Sequence, residues 1–241
     1  MILITEFMDE DAVNLLKKKY DVYYDISLAE DSNSLVKLIN KMKALIVRNK
    51  TLVTRELIEN APNLTCVGRL GVGLDNIDLN ACEEQNITVY PALGANSHSV
   101  AEYVICASML LLRKAYFKKN EMIAGNWPRQ ESSGSEVYGK TLGLIGFGDL
   151  AKSLTPILKA FSNNIFAYDP WIPNKEIEKF DVKPANLNSL LKNADIIYVL
   201  ASITSSNESM INTSKLKLIK DGSVFVLMSR AAIINFDDFF K

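Results

Sequence analysis

The residues best suited to chemistry lie in residues 140–170, KTLGLIGFGDLAKSLTPILKAFSNNIFAYDP. Gly146, Gly148 and Ala151 form a G-x-G-x-x-A array, and Asp169 follows about 20 residues later. Gly146 permits a tight turn, Gly148 lets backbone approach a pyrophosphate, and Ala151 allows close helix–strand packing. Asp149 and Leu150 open a helix whose unpaired N–H groups can meet the anion. The Asp169 carboxylate can accept hydrogen bonds from a ribose 2′-OH. Pro170, Trp171 and Ile172 come next, with no arginine to hold a 2′-phosphate, so the array favours NAD over NADP. Glycine turns also join ordinary strands and helices. Here the flanking strand and helix patterns and the distant acid all favour a dinucleotide site.

Those groups need strands and helices to hold them. Short apolar runs at 142–145 and 165–168 read as strands flanking a helix with Leu150, Leu154, Ile157 and Leu158 at helical spacing. Residues 195–200 and 223–227 read as further strands, with a helix over 213–220 between them. Ahead of them, strands are predicted at 2–5, 22–24, 44–47, 65–68 and 87–90. Helices are predicted at 9–19, around 35–42 with Ser32 as cap, at 54–61 and at 78–85. This alternation predicts an α/β fold of two units, 1–96 and 97–241, each a parallel sheet with helices on both faces. A helix over 97–114 is apolar on most sides until Arg113, which predicts burial between domains or subunits. The segment 121–139 reads as a loop whose Trp127 can anchor a second copy of the chain.

Composition narrows the function class. The chain has 241 residues and a formal net charge of −1, which argues against a general nucleic-acid or membrane-surface role. No stretch approaches the roughly 20 apolar residues of a membrane span. The first residues read as a strand, not a signal peptide. Cys66, Cys82 and Cys106 show no metal-ligand spacing, so buried reduced thiols, no metal and a cytoplasmic location are expected.

Three further groups could meet a substrate in the cleft expected between the units, outside the strands' C-terminal ends. Leu70, Gly71, Val72 and Gly73 could turn backbone N–H groups toward an anion, or simply bend the chain after a strand. Arg230 sits just past the strand at 223–227, suited to a carboxylate or to a surface salt bridge. Arg48 and Lys50 lie two apart at a strand's end and can point the same way, as an anion contact or as solvated charge.

The strings RLGVGLDNID at 69–78 and GANSHSVAEY at 94–103, with GFGDLA and Ser229-Arg230, resemble the D-2-hydroxyacid dehydrogenase family. Its phosphoglycerate and sulfolactate dehydrogenase branches are the most similar, and the motifs keep family order along the whole chain. The resemblance implies two doubly wound domains, a flavodoxin-like substrate domain and a Rossmann NAD-binding domain. It implies hydride transfer between NAD and C2 of a small 2-hydroxy or 2-oxo acid, by a homodimer joined through the NAD-binding domain. Arg230 would hold the carboxylate and polarise the C2 oxygen. Thr204, Met228 and Ser229 would also line the coenzyme. Arg48, Lys50, residues 70–73 and Asn96 would meet substrate, the first two at a phosphate or sulfonate tail.

Family members use a histidine oriented by a glutamate as acid and base, both well after the catalytic arginine. The single histidine here, His98, aligns instead with the start of the helix at 97–114. The chain is therefore expected to be a C-terminally truncated, inactive fragment of the enzyme. The alternative is a non-catalytic NAD-sensing protein, like the family's corepressors. Ala231 replaces a usual glycine, and Ala201-Ser202-Ile203-Thr204 replaces Val-Pro-Leu-Thr, so looser nicotinamide placement is expected.

Overall fold

Short, mainly apolar runs bounded by turn residues form most strands of the computed structural model, which describes residues 1–240. The chain divides into two compact units, Met1–Ala95 and Asn96 onward.

In the first unit β1 (Ile2–Ile4), α1 (Glu10–Lys17), β2 (Val22–Tyr24), α2 (Ser32–Ile39) and β3 (Ala44–Val47) are followed by α3 (Arg55–Glu59), β4 (Cys66–Arg69), α4 (Leu79–Glu84) and β5 (Thr88–Pro91). The strands pair in parallel in the order β2-β1-β3-β4-β5, the flavodoxin-like arrangement. Leu3 pairs with Leu45 and Leu45 with Val67, all without solvent exposure, because strands covered on both faces need continuous apolar side chains. Side-chain oxygens of Asp9, Asp31, Thr54 and Asp78 cap α1 to α4. Asp31, not Ser32, caps α2: its Oδ1 accepts from the Ser34 amide at 3.0 Å, and Ser32 becomes the first helical residue.

In the second unit α5 (Ser97–Arg113) and α6 (Lys119–Ile123) precede β6 (Leu142–Ile145), α7 (Asp149–Lys159) and β7 (Ile165–Tyr168). Then come α8 (Asn174–Glu178), β8 (Lys183–Pro184), α9 (Leu187–Asn193), β9 (Ile196–Val199), α10 (Thr213–Leu216), β10 (Val224–Leu227) and α11 (Phe236–Phe239). The parallel order is β10-β9-β6-β7-β8. Strand order reverses between β6 and β9, and both are buried throughout.

The predicted helices at 9–19 and 213–220 are shorter in the fold, ending at Lys17 and Leu216. The elements α8, β8 and α9 had no sequence forecast, because β8 is two residues long and shows no period. Helix α6 occupies part of the expected loop. Helix α5 buries only one stripe, Ala101, Val104, Ser108 and Leu112, while Tyr103, Met109 and Leu111 are exposed. Its Ser108 Oγ lies 3.1 Å from the hydroxyl of Tyr198 on β9, a fully buried polar link. Cys82 is buried as expected, but Cys106 is exposed on α5.

Candidate functional site

Ligands of open α/β sheets bind beyond the strands' C-terminal ends, where strand order reverses. In the second unit that point lies between β6 and β9. The chain leaves β6 through Gly146, at φ 94°, where a Cβ would stand 2.5 Å from the Ala201 nitrogen after β9. Only glycine fits both the backbone angle and the space. The buried Phe147 ring meets Phe180 edge-on at 5.5 Å and anchors the turn from below. Gly148 then caps α7 with no side-chain partner, and nothing lies within 4 Å of where its Cβ would be. The first N–H groups of this eleven-residue helix have no side-chain cap, and the helix dipole lies behind them. Asp149 is exposed and Leu150 half-buried beside them. This cradle fits a dinucleotide's pyrophosphate.

Asp169 carries a structural task that its position did not reveal. Its Oδ2 accepts from the Phe147 amide at 2.8 Å, and its Oδ1 accepts from Trp171 at 2.8 Å and Ile172 at 3.1 Å. The acid therefore ties the glycine turn to the end of β7.

On the other side of the reversal, the loop after β9 is held by side chains. Asn207 Oδ1 accepts from the Thr204 amide at 2.7 Å, and its Nδ2 donates to the Ser202 carbonyl at 2.8 Å. The Thr204 and Ser206 hydroxyls are 2.9 Å apart, and Ser229 Oγ donates to the Ala201 carbonyl. These bonds tie the loop together without the proline that the resemblance places at position 202. Met228 donates to the Val199 carbonyl at 2.9 Å, which puts Met228 and Ser229 beside the loop. Arg230 follows, exposed, one residue beyond.

In the first unit, order reverses between β1 and β3. The loop after β3 carries Arg48 and Lys50, both exposed. Lys50 Nζ lies 2.9 Å from Glu30 Oε1, and that hydrogen bond pushes the lysine above its ordinary pKa. Beneath the loop is Glu6, 5% exposed, which sequence reasoning missed. Its Oε1 accepts from the amides of Arg48 at 2.7 Å and Thr51 at 3.0 Å, and its Oε2 from those of Asn49 and Lys50, both at 3.0 Å. Burial by itself would raise this carboxyl. The four N–H donors outweigh burial and bring it down to about 2. An acid two residues past β1 is visible in the sequence, but its meaning depends on knowing that β3 lies next to β1.

The turn after β4 is less open than expected. Leu70 donates to the Val47 carbonyl and Gly71 to that of Arg69, both at 2.8 Å. Among the described residues the amides of Val72, Gly73 and Leu74 in this turn have no acceptor. The Arg69 guanidinium lies where a Gly71 side chain would be, so any larger residue there would have to displace it. Asn96 and His98 are exposed at the start of α5, and Asn96 makes no side-chain cap bond.

Among the described residues no group of three His, Cys, Asp or Glu side chains could hold a metal, and no helix is long and apolar enough to cross a membrane.

Comparison with known proteins gives two family matches. Residues 2–169 match "D-isomer specific 2-hydroxyacid dehydrogenase, catalytic domain", and residues 105–241 match "D-isomer specific 2-hydroxyacid dehydrogenase, NAD binding domain". The (S)-sulfolactate dehydrogenase of Chromohalobacter salexigens is 40% identical over 235 residues, covering 97% of this chain and 76% of that protein. The D-3-phosphoglycerate dehydrogenase of Methanocaldococcus jannaschii is 35% identical over 97% of this chain, which spans only 44% of that protein's length. The solved D-lactate dehydrogenase of Aquifex aeolicus, complexed with NAD and lactic acid, superposes with a TM-score of 0.85 at 22% identity, covering 100% of this chain and 72% of that one. This last likeness is one of fold.

Proposed function

Since this chain belongs to the D-isomer specific 2-hydroxyacid dehydrogenase family, whose coenzyme is NAD, we propose that it serves hydride transfer at C2 of a small 2-hydroxy acid bearing an anionic tail. The tail is a phosphate or sulfonate, as in phosphoglycerate or sulfolactate, and hydroxypyruvate shares the same core. When bound, NAD supplies the hydride acceptor. The chain's residues do the rest of the positioning. The α7 amides beyond Gly148, with Asp149 and Leu150, hold the pyrophosphate. Asp169 takes the ribose hydroxyl with oxygen lone pairs left over from its three amide contacts. Thr204, Met228 and Ser229 border the nicotinamide.

Arg230 orients the substrate carboxylate and polarises the C2 oxygen, tasks for a permanent cation. The amides of Val72 and Gly73 receive the carboxylate, while Arg48 and Lys50 take the tail; Leu70, Gly71 and Asn96 are assigned to substrate binding as well. The observation that carries this reading is the uncapped α7 N-terminus opening beside Asp169. Calorimetry with NADH tests it: saturable 1:1 binding is expected, and no heat of binding from folded protein would refute it.

A homodimer through the second unit accompanies this reading. The exposed side of α5 forms an apolar groove lined by Ile105, Cys106, Met109, Leu110 and Ile157, with Glu102 and Arg113 at its rim. A second copy covers it, with Trp127, 77% exposed, as an anchor. Three free cysteines suit a cytoplasmic protein.

One observation favours a second reading, NAD binding without catalysis. The chain's only histidine is His98, exposed in the first turn of α5. Imidazole is the side chain best suited to proton exchange near neutral pH. The 241-residue chain by itself is therefore expected to bind NADH with little turnover. Robust reduction of 2-oxo acids by this polypeptide would remove the second reading.

A further inference from the structure

The strand reversal of the first sheet is filled by the protein itself. Glu6 leaves β1, and its carboxylate accepts four consecutive amides, Arg48 to Thr51, at 2.7 to 3.0 Å. Successive N–H groups converging on one point form an anion-binding nest. Here an internal carboxylate occupies it from below, while the Arg48, Asn49 and Lys50 side chains are exposed. An external anion therefore cannot use these amides and must be met by side chains.

The loop is clamped twice more. Thr51 Oγ1 lies 2.8 Å from Thr5 Oγ1, and the Thr51 carbonyl accepts from Asn76 Nδ2 at 2.8 Å. Asn76 is 7% exposed and ends the turn that carries Val72 and Gly73. The loop bearing Arg48 and Lys50 is thus braced against the turn proposed to receive the carboxylate. An exposed loop could satisfy its amides with water. A buried carboxylate beneath it instead fixes φ and ψ through four residues.

We propose that Glu6 is a positioning residue for substrate specificity: its carboxylate, acting as a built-in anion, holds residues 48–51 so that the Arg48 and Lys50 side chains meet the anionic tail. This rests on the assignment of those cations to the tail. Glu6→Gln keeps the shape of the side chain but turns a donor amide toward N–H groups, so the loop loses its single conformation. Tail recognition falls, while carboxylate and coenzyme binding persist.

The test is titration of the NADH-bound 241-residue chain with D-3-phosphoglycerate and with D-lactate, which has no anionic tail. For Glu6→Gln, phosphoglycerate affinity is expected to drop about tenfold, with D-lactate and NADH affinities within about twofold of wild type. Glu6→Asp keeps the charge but withdraws it, and should lose about threefold for phosphoglycerate alone. It carries the test if the glutamine variant does not fold. Equal loss for both acids in either variant would mean a merely structural role and overturn the inference. A tail preference that survives Glu6→Gln but vanishes in Arg48→Ala would overturn it and leave the tail assignment standing. A wild-type chain with no preference for the phosphorylated acid would sink both.

Discussion

The Phe147 amide donates to Asp169 Oδ2 at 2.8 Å, so the acid at the end of one strand clamps the glycine turn at the end of its neighbour. Asp169 therefore holds the turn, and the proposed function gives it a second duty, offering an acceptor to the ribose. Asp169→Ala should weaken NADH binding by tenfold or more and also lower stability by about 1–3 kcal/mol, since three amides lose their acceptor. Calorimetry and thermal unfolding measure the two effects separately. An unchanged NADH affinity would show that Asp169 has only the structural duty.

The two glycines of the turn should respond differently. Gly146→Ala places a Cβ 2.5 Å from the Ala201 nitrogen at φ 94°, and should destabilise the fold by roughly 2 kcal/mol or more. Gly148→Ala meets nothing within 4 Å and has φ −76°, so unfolding should shift by less than about 1 kcal/mol. NADH affinity should nonetheless fall about tenfold, because the methyl group would stand where the pyrophosphate is proposed to approach. If both variants lost stability equally, the open space above Gly148 would not be a ligand site.

Glu6 links stability to acid. Its pKa falls from 4.5 to about 2 on folding, so it contributes fully above about pH 4.5 and progressively less as pH falls toward 2. The contribution is roughly 3 kcal/mol. Denaturant titrations of wild type and Glu6→Gln should differ most near neutral pH and converge below about pH 2.5. A difference that stayed constant from pH 7 to 2 would mean that charge is not what the amides require.

Association can be tested at the exposed side of α5. Wild type should sediment as a dimer, and Met109→Glu, which puts a charge in the apolar groove, should sediment as a monomer with unchanged NADH affinity. A monomeric wild type at tens of micromolar would remove the dimer.

The buried pair of Ser108 and Tyr198 gives a check on packing. Burial pushes the Tyr198 hydroxyl up to about 12, so it stays protonated across the working range. Tyr198→Phe should cost about 1 kcal/mol, because Ser108 keeps its 2.8 Å bond to the Val104 carbonyl. A loss above about 3 kcal/mol would show that the hydroxyl does more than satisfy Ser108.

Local pattern determined much of this protein. Short apolar runs marked nearly every strand, and the 3.6-residue period marked the long helices. The glycine array with Asp169 marked the turn proposed to cradle the coenzyme, because that chemistry needs particular residues a fixed distance apart along one strand–turn–helix–strand unit. Tertiary structure decided whatever depends on non-neighbours. Only strand order brings Glu6 beneath residues 48–51, some forty positions away, or sets Ala201 against Gly146. Only packing shows that α5 covers one stripe and leaves the other bare, since hydrophobicity states what seeks burial and not what arrives to bury it. The Asn207 brace and the occupied amides of Leu70 and Gly71 are of the same kind. Hydrogen-bond partners are assigned by geometry, and a linear sequence carries no distances between residues far apart along it.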